Sequence, residues 1–241
     1  MAVFRKYAGA SAGKGPSPIL WNQIPPEVVQ NIEPSKGFMI WQDGLKMPTS
    51  TTSLNGFTTT VVNGTILPAN TEGGGMIFTC AGAENDGVQL QSSECFYVDA
   101  DSNIVCECRI AGTDVDQEDT FFGLATTDTT ICAGVPNDIL GFISHDGDAN
   151  IDYLVSKDGA GSAVDTTSDL ADATAVRLGF KINGESSVEF YINGVKTATV
   201  STGLPNDEAL ALSIAHLAGA AAANNLTVTW FYGAQWYDDV R

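Results

Sequence analysis

The chain lacks any apolar run near the roughly 18–20 residues that a membrane helix needs, so no membrane partner is expected. Its first residues, MAVFRKYAGASAGKGPSP, offer only Ala2, Val3 and Phe4 as an apolar start. A secretory signal needs about 7–15 such residues, and the expectation is a protein that is made in a host cytoplasm and stays there until assembly. Histidine is scarce, at two residues, and the five cysteines are an odd number without a C-x-x-C spacing. Cys80, Cys95, Cys106, Cys108 and Cys132 therefore read as small buried apolar residues of a reduced protein. Neither a zinc site nor another cofactor is expected.

Basic residues are also few. Eleven Lys and Arg face 29 Asp and Glu, a net charge of −18, which repels a polyphosphate and argues against nucleic acid as a partner. The minority is unevenly placed: residues 1–26 hold Arg5, Lys6 and Lys14 and no acid. A basic arm on an acidic body suggests a segment that docks on an acidic neighbour. Residues 1–18 are rich in Gly, Ala, Ser and Pro, and Ile19, Leu20 and Trp21 then form an apolar anchor of the kind that buries against something. The domain division that follows is an extended docking arm over 1–35 and a folded body over 36–241, with Arg5, Lys6, Lys14, Ile19, Leu20 and Trp21 as the partner-binding residues.

What the body has in abundance is period-two alternation. Val176, Leu178, Phe180 and Ile182 alternate with Arg177, Gly179, Lys181 and Asn183, which sends one set of side chains into a core. Val188–Ile192 repeats the pattern, Asn193-Gly194 supplies the two positive-φ residues of a type I′ hairpin turn, and Val195–Val200 returns. From Gly37 on, turn signals recur about every 8–12 residues, the spacing of an all-β sandwich. Strands are expected at 37–41, 58–62, 76–80, 94–98, 103–110, 120–126, 139–144, 151–156, 175–183, 187–192, 195–200, 209–217 and 226–232. Alternation at the last of these puts Trp230 and Tyr232 on the core face with Val228.

The string VRLGFKINGESSVEFYINGVKTATV resembles the concanavalin A-like superfamily of lectin, laminin-G and glucanase β-sandwiches, and looks most like the versions carried by bacteriophage structural proteins. FFGLATTD, FISHDGDANIDYLVSKDG and LTVTWFYGAQWYDD would be further strands of that fold. The resemblance implies an all-β, two-sheet antiparallel jelly-roll sandwich with an extended N-terminal arm. It also implies a non-enzymatic virion structural protein, a capsid decoration or cement protein held through the arm to a major capsid or other virion protein, and assembled as a homo-oligomer such as a trimer. The alternative is a carbohydrate- or receptor-binding module of a phage tail fibre, with a glycan as ligand.

Three sequence features bear on chemistry. Glucanases of the superfamily carry a Glu-x-Asp-x-x-Glu strand, and no strand here matches it, so no catalytic residue is assigned; Glu189 stands alone and Asp114, Asp116, Glu118 and Asp119 read as solvated loop acids. Asp146–Asp152 begins like a calcium loop but has Ile151 where glycine belongs and Lys157 where a bidentate glutamate belongs, so a hairpin turn is expected there and no metal. His145 has no neighbouring nucleophile, and His216 reads as a hydrogen-bonded core residue.

Overall fold

The computed structural model describes residues 14–31, 33–45, 51–70, 74–132, 134–219 and 223–237. Among the described residues two single-turn helices, α1 (Pro18–Trp21) and α2 (Pro26–Val29), precede sixteen strands. The strands are β1 (Gly37–Gln42), β2 (Thr58–Val62), β3 (Gly64–Pro68), β4 (Met76–Cys80), β5 (Gly87–Gln91), β6 (Phe96–Tyr97), β7 (Ser102–Gly112) and β8 (Glu118–Ala125), then β9 (Ile139–Ser144), β10 (Asn150–Ser156), β11 (Ala163–Asp169), β12 (Val176–Asn183), β13 (Ser187–Ile192), β14 (Val195–Val200), β15 (Ala209–Ala218) and β16 (Asn225–Tyr237). The front sheet runs β14-β13-β12-β7-β16-β4-β3, with β1 also on β16, and the back sheet runs β11-β10-β9-β8-β15-β5-β2, with β6 on β15. Every paired register is antiparallel, and the two-sheet sandwich expected from the alternation is the fold.

The inward rows of both sheets meet in one core that includes Phe78, Phe96, Phe122, Phe142, Phe180, Phe190 and Phe231. Leu178, Phe180, Phe190, Ile192, Val228 and Trp230 are all buried. Asn193 and Gly194 have φ of 52° and 80°, as the β13–β14 turn requires. Ala209–Ala218, helix-favouring in composition, is a strand because its alternation fits the pleat and both its edges find partners. Strands β3, β5 and β11 had no sequence signal strong enough to mark them. The first follows β2 after Asn63 alone, and the last is AVDTTSD, a polar and largely exposed edge.

Trp230 is buried for a different reason from the one alternation implies. The β16–β7 register slips between Val228 and Trp230, and such a bulge sends the following side chains to the opposite face. Val228 and Phe231 enter the inter-sheet core. Trp230, Tyr232 and Ala234 instead line the outer face of the front sheet.

The arm covers that outer face. Leu20, Ile24 and Val28, four residues apart, are buried against Val105, Tyr191, Trp230 and Tyr232. The ring of Trp21 stands edge-on to Trp41 (5.6 Å, 75°) and Tyr232 (5.3 Å, 85°). Leu20 and Trp21, expected as partner-binding residues, spend apolar surface on the parent sheet in this chain. Ile19 is half exposed, Lys14 is exposed, and Arg5 and Lys6 lie outside the described residues. Four cysteines are buried as expected, whereas Cys95 is exposed.

His216 departs from expectation in a second way. It is fully buried, yet neither ring nitrogen has a hydrogen-bond partner, and Glu118 Oε2 lies 3.7 Å from Nδ1. Burial pushes the Glu118 carboxyl up to about 8, helped by Asp114 and Asp172, and burial lowers His216 to about 4. At neutral pH this is a pair of neutral groups rather than a salt bridge. Thr120 and Ser144, side by side with His216 across the strands, also leave their hydroxyl oxygens without partners.

Two outcomes follow. Phe180→Ala should cost about 3–5 kcal/mol in chemical denaturation, the range for emptying a core aromatic site. The raised carboxyl makes the folded state hold a proton that the unfolded chain releases above its ordinary value of 4.5, so Glu118 withdraws stability as pH rises from there to about 8. His216 acts oppositely, but only between about 4 and 6.5. Above 6.5 the melting temperature should fall with pH, and Glu118→Gln should lessen that fall; an unchanged slope would show that the carboxyl is not protonated in the fold.

Candidate functional site

The outer face of the back sheet is apolar over most of its length. Phe121, Ala125, Ile139, Ile143, Leu154, Ala215 and Leu217 lie under Ile131 and Cys132 of the loop after β8. Gln89 and Gln91 on β5 tie that loop down: Gln89 Nε2 donates to the carbonyl of Asp128, and Gln89 Oε1 accepts Ile131 N at 3.1 Å. Gln91 Oε1 accepts Asp128 N at 3.0 Å and its Nε2 donates to Thr126 O at 3.3 Å.

Where this cover ends, the same outward row becomes polar. Thr120 pairs with Ser144, so the next residues, Asp119 on β8 and His145 just past β9, stand beside each other. Asp152 on β10, opposite Ile143, points to the same side one strand further on. The Nδ1 of His145 lies 3.5 Å from Asp119 Oδ1, with 46% of the histidine side chain exposed and 11% of the aspartate. Asp119 Oδ1 also accepts Asp146 N at 2.9 Å, which fixes the carboxylate that aims the ring. Asp152 Oδ1 is buried and has no hydrogen-bond partner.

The electrostatics follow from this arrangement. The bond to Asp119 raises the His145 imidazole, against the opposing effect of burial, and Asp152 and Asp146 add to the rise. Burial raises the Asp152 carboxyl, with Asp165 and Asp148 pressing the same way and His145 against them. A histidine aimed by one carboxylate and flanked by a second is equipped to move protons at an accessible face.

Sequence alone gives these residues no role. Asp119, which reads as a solvated loop acid, belongs to β8 and is nearly buried. Its outward alternation with Phe121 is a local signal; what it faces across the strands is not. His145 has no neighbouring nucleophile, and a proton-transfer role needs none. The turn expected at His145–Asn150 is present, with Gly147 at φ 91° and Asp148 Oδ1 accepting Asn150 N at 2.8 Å. Glu189 is not solitary: Tyr191 Oη donates to it at 2.6 Å and Lys196 Nζ at 3.1 Å, which hold its carboxyl below the usual range. Asp114, Asp116 and Asp172 bring carboxylate oxygens within 4.8 Å of one another. They are near the site but form an ordinary exposed acidic group.

No family model matches the sequence, and no curated protein matches it. Solved structures do. A protein of unknown function from Shewanella oneidensis superposes with a TM-score of 0.60 at 12% identity, over 90% of this chain and 97% of that one. This is a concanavalin A-like jelly roll. An endo-β-1,3-glucanase from Pyrococcus furiosus matches at 0.58 and 11% identity, over 86% of this chain and 98% of its own. An alginate lyase matches at 0.53 and 10%, over 68% and 76%. At such identities the likeness establishes the fold, and the activities are those of the neighbours.

These matches overturn the expectation of a non-enzymatic virion structural protein. The jelly roll was its main support, and here the fold is shared with enzymes that cleave glycans. The chain still shows no pair of carboxylates in facing contact; what it has is a carboxylate on each side of His145, Asp119 on β8 and Asp152 on β10.

Proton magnetic resonance should find His145 titrating above 6.5, its ordinary value. Asp119→Asn should lower it, since burial then acts with less opposition; an unmoved titration would mean that the pair does not form.

Proposed function

We propose that the chain is a glycan-cleaving enzyme acting on neutral polysaccharide, with His145, Asp119 and Asp152 as its reacting groups. The observation that carries the reading is the exposed His145–Asp119 pair beside a carboxyl whose inner oxygen has no partner. The resemblance in fold to a glucanase and a lyase supports it.

In this reading His145, protonated and aimed by Asp119, gives its proton to the glycosidic oxygen as the bond from the anomeric carbon breaks. Asp152, made more basic by its surroundings, takes a proton from the water that forms the new bond to that carbon. The products are two sugar ends, with one water consumed. Hydrolysis is favoured over lyase chemistry because of charge: Asp146, Asp148 and Asp165 surround the pair, on a chain of net charge −18. A polyuronate would meet repulsion there.

The test is to incubate the protein with laminarin, mixed-linkage β-glucan and alginate while following new reducing ends and unsaturated uronate separately. Reducing ends should appear from a neutral glucan without uronate, and His145→Gln should lower the rate by about 10²–10⁴, the usual worth of general acid–base catalysis. Turnover that survives His145→Gln and Asp152→Asn together would place the chemistry elsewhere, and the absence of turnover on all neutral glycans would remove the reading.

A further inference from the structure

The arm binds the front sheet in an unusual way. Its own backbone is recognised by side chains. Ser17 N donates to both oxygens of Glu107, at 2.8 and 3.2 Å. Arg177 donates to Gly15 O at 3.1 Å, and Trp230 Nε1 donates to Lys14 O at 2.8 Å. Tyr232 Oη donates to Glu107 Oε2 at 3.2 Å. Glu107 is almost completely buried, and an apolar arm would need no such carboxylate beneath it.

Beside these polar groups stand three aromatic rings. Trp41 stacks on Trp230 at 5.8 Å and 15°, and on Tyr232 at 5.7 Å and 14°. Trp21 of the arm meets Trp41 and Tyr232 in T-shaped contacts, at 5.6 Å and 5.3 Å. An edge-on ring presents C–H groups to a π face, which is the contact a pyranose makes when it lies on an aromatic platform. Leu20 fills a slot whose floor is Gly179; a Cβ there would come within 2.5 Å of Leu20 Cδ1 and 3.0 Å of Glu107 Cγ.

We infer that the outer face of the front sheet is a glycan-binding surface for neutral oligosaccharide, and that residues 14–30 are a displaceable strap lying in it. The strap supplies what a sugar would supply: C–H groups to the rings of Trp41 and Tyr232, and hydrogen-bonding groups to Glu107, Arg177 and Trp230. It is built to leave. Its two helices are single turns without a side-chain cap at either start, and it adds no strand to either sheet. Its apolar residues form a cluster separate from the inter-sheet core, so departure leaves that core intact. This surface rests on the carbohydrate reading of the chain but not on the His145 chemistry, because it lies on the other sheet and is read by binding.

The experiment uses the full chain. Laminari-, cello- and chito-oligosaccharides are titrated while tryptophan fluorescence is followed, and trypsin cleavage after Lys14 is timed with and without saturating sugar. Leu20→Ala should loosen the strap and raise affinity at least tenfold over the parent protein. Trp41→Ala should abolish binding in the Leu20→Ala background. In the parent protein, sugar should speed cleavage at Lys14. Circular dichroism melts identify any variant that is not folded, and the proteolysis of the parent protein then decides alone. Equal affinity of folded Leu20→Ala and parent, or cleavage indifferent to sugar, overturns the inference. So does a surface that binds a synthetic peptide of residues 14–30 but no oligosaccharide. Loss of hydrolysis in His145→Gln with sugar binding retained would leave it standing.

Discussion

Each sheet carries an apolar patch on its outer face as well as an apolar inner face, and the need to cover those patches governs the rest of the molecule. A two-layer sandwich normally hides only its inner rows and leaves the outer rows to water. Here Phe121, Ile139, Ile143 and Leu154 point away from the inter-sheet core on one side, and Val105, Tyr191, Trp230 and Tyr232 on the other. The loop after β8 covers the first group and the arm covers the second. Each cover is then fastened by buried polar groups of the sheet beneath, Gln89 and Gln91 for the loop and Glu107 for the arm. A carboxylate or amide in such a place is costly unless it is hydrogen-bonded, so each fastening also fixes where its cover must lie.

The same constraint places the candidate chemistry. Where the loop over the back sheet ends, the outward row has no cover to meet, and it changes from Phe and Ile to Asp119, His145 and Asp152. Those side chains sit at a boundary between dry sheet and solvent, where a carboxylate can aim an imidazole without desolvating it fully. On the front sheet the arm lies over Trp230 and Tyr232, while Trp41 stays 39% exposed. One molecule therefore pairs a solvent-facing histidine–aspartate contact with an aromatic surface that the arm largely covers.

The buried Glu118, Thr120, Ser144 and His216 form a polar group inside the apolar core. They face inward at one end of the core and leave six polar atoms without partners. Because the carboxyl is raised and the imidazole lowered, the group holds no net charge at neutral pH, which reduces its cost. It ties the pH dependence of stability to the interior rather than to the acidic surface.

The period-two runs, the Asn193-Gly194 turn and the even spacing of turn residues were sufficient to establish an antiparallel sandwich, because strand alternation and hairpin geometry are local properties of the chain. The anchor at Leu20 and Trp21 was also recognisable, since an apolar cluster in a polar arm must bury against something. What it buries against was not: docking on the parent sheet depends on a bulge between Val228 and Trp230 that turns two aromatics outward, and no residue pattern announces that slip. Asp119 is remote in the chain from His145 and Asp152, and the three become neighbours only through the β8–β9–β10 registers. Local physics in the sequence determined the strands and their turns. Which faces were covered, by which segment, and which acids stood beside a histidine were decided by register and packing, which exist only once the sheets have formed.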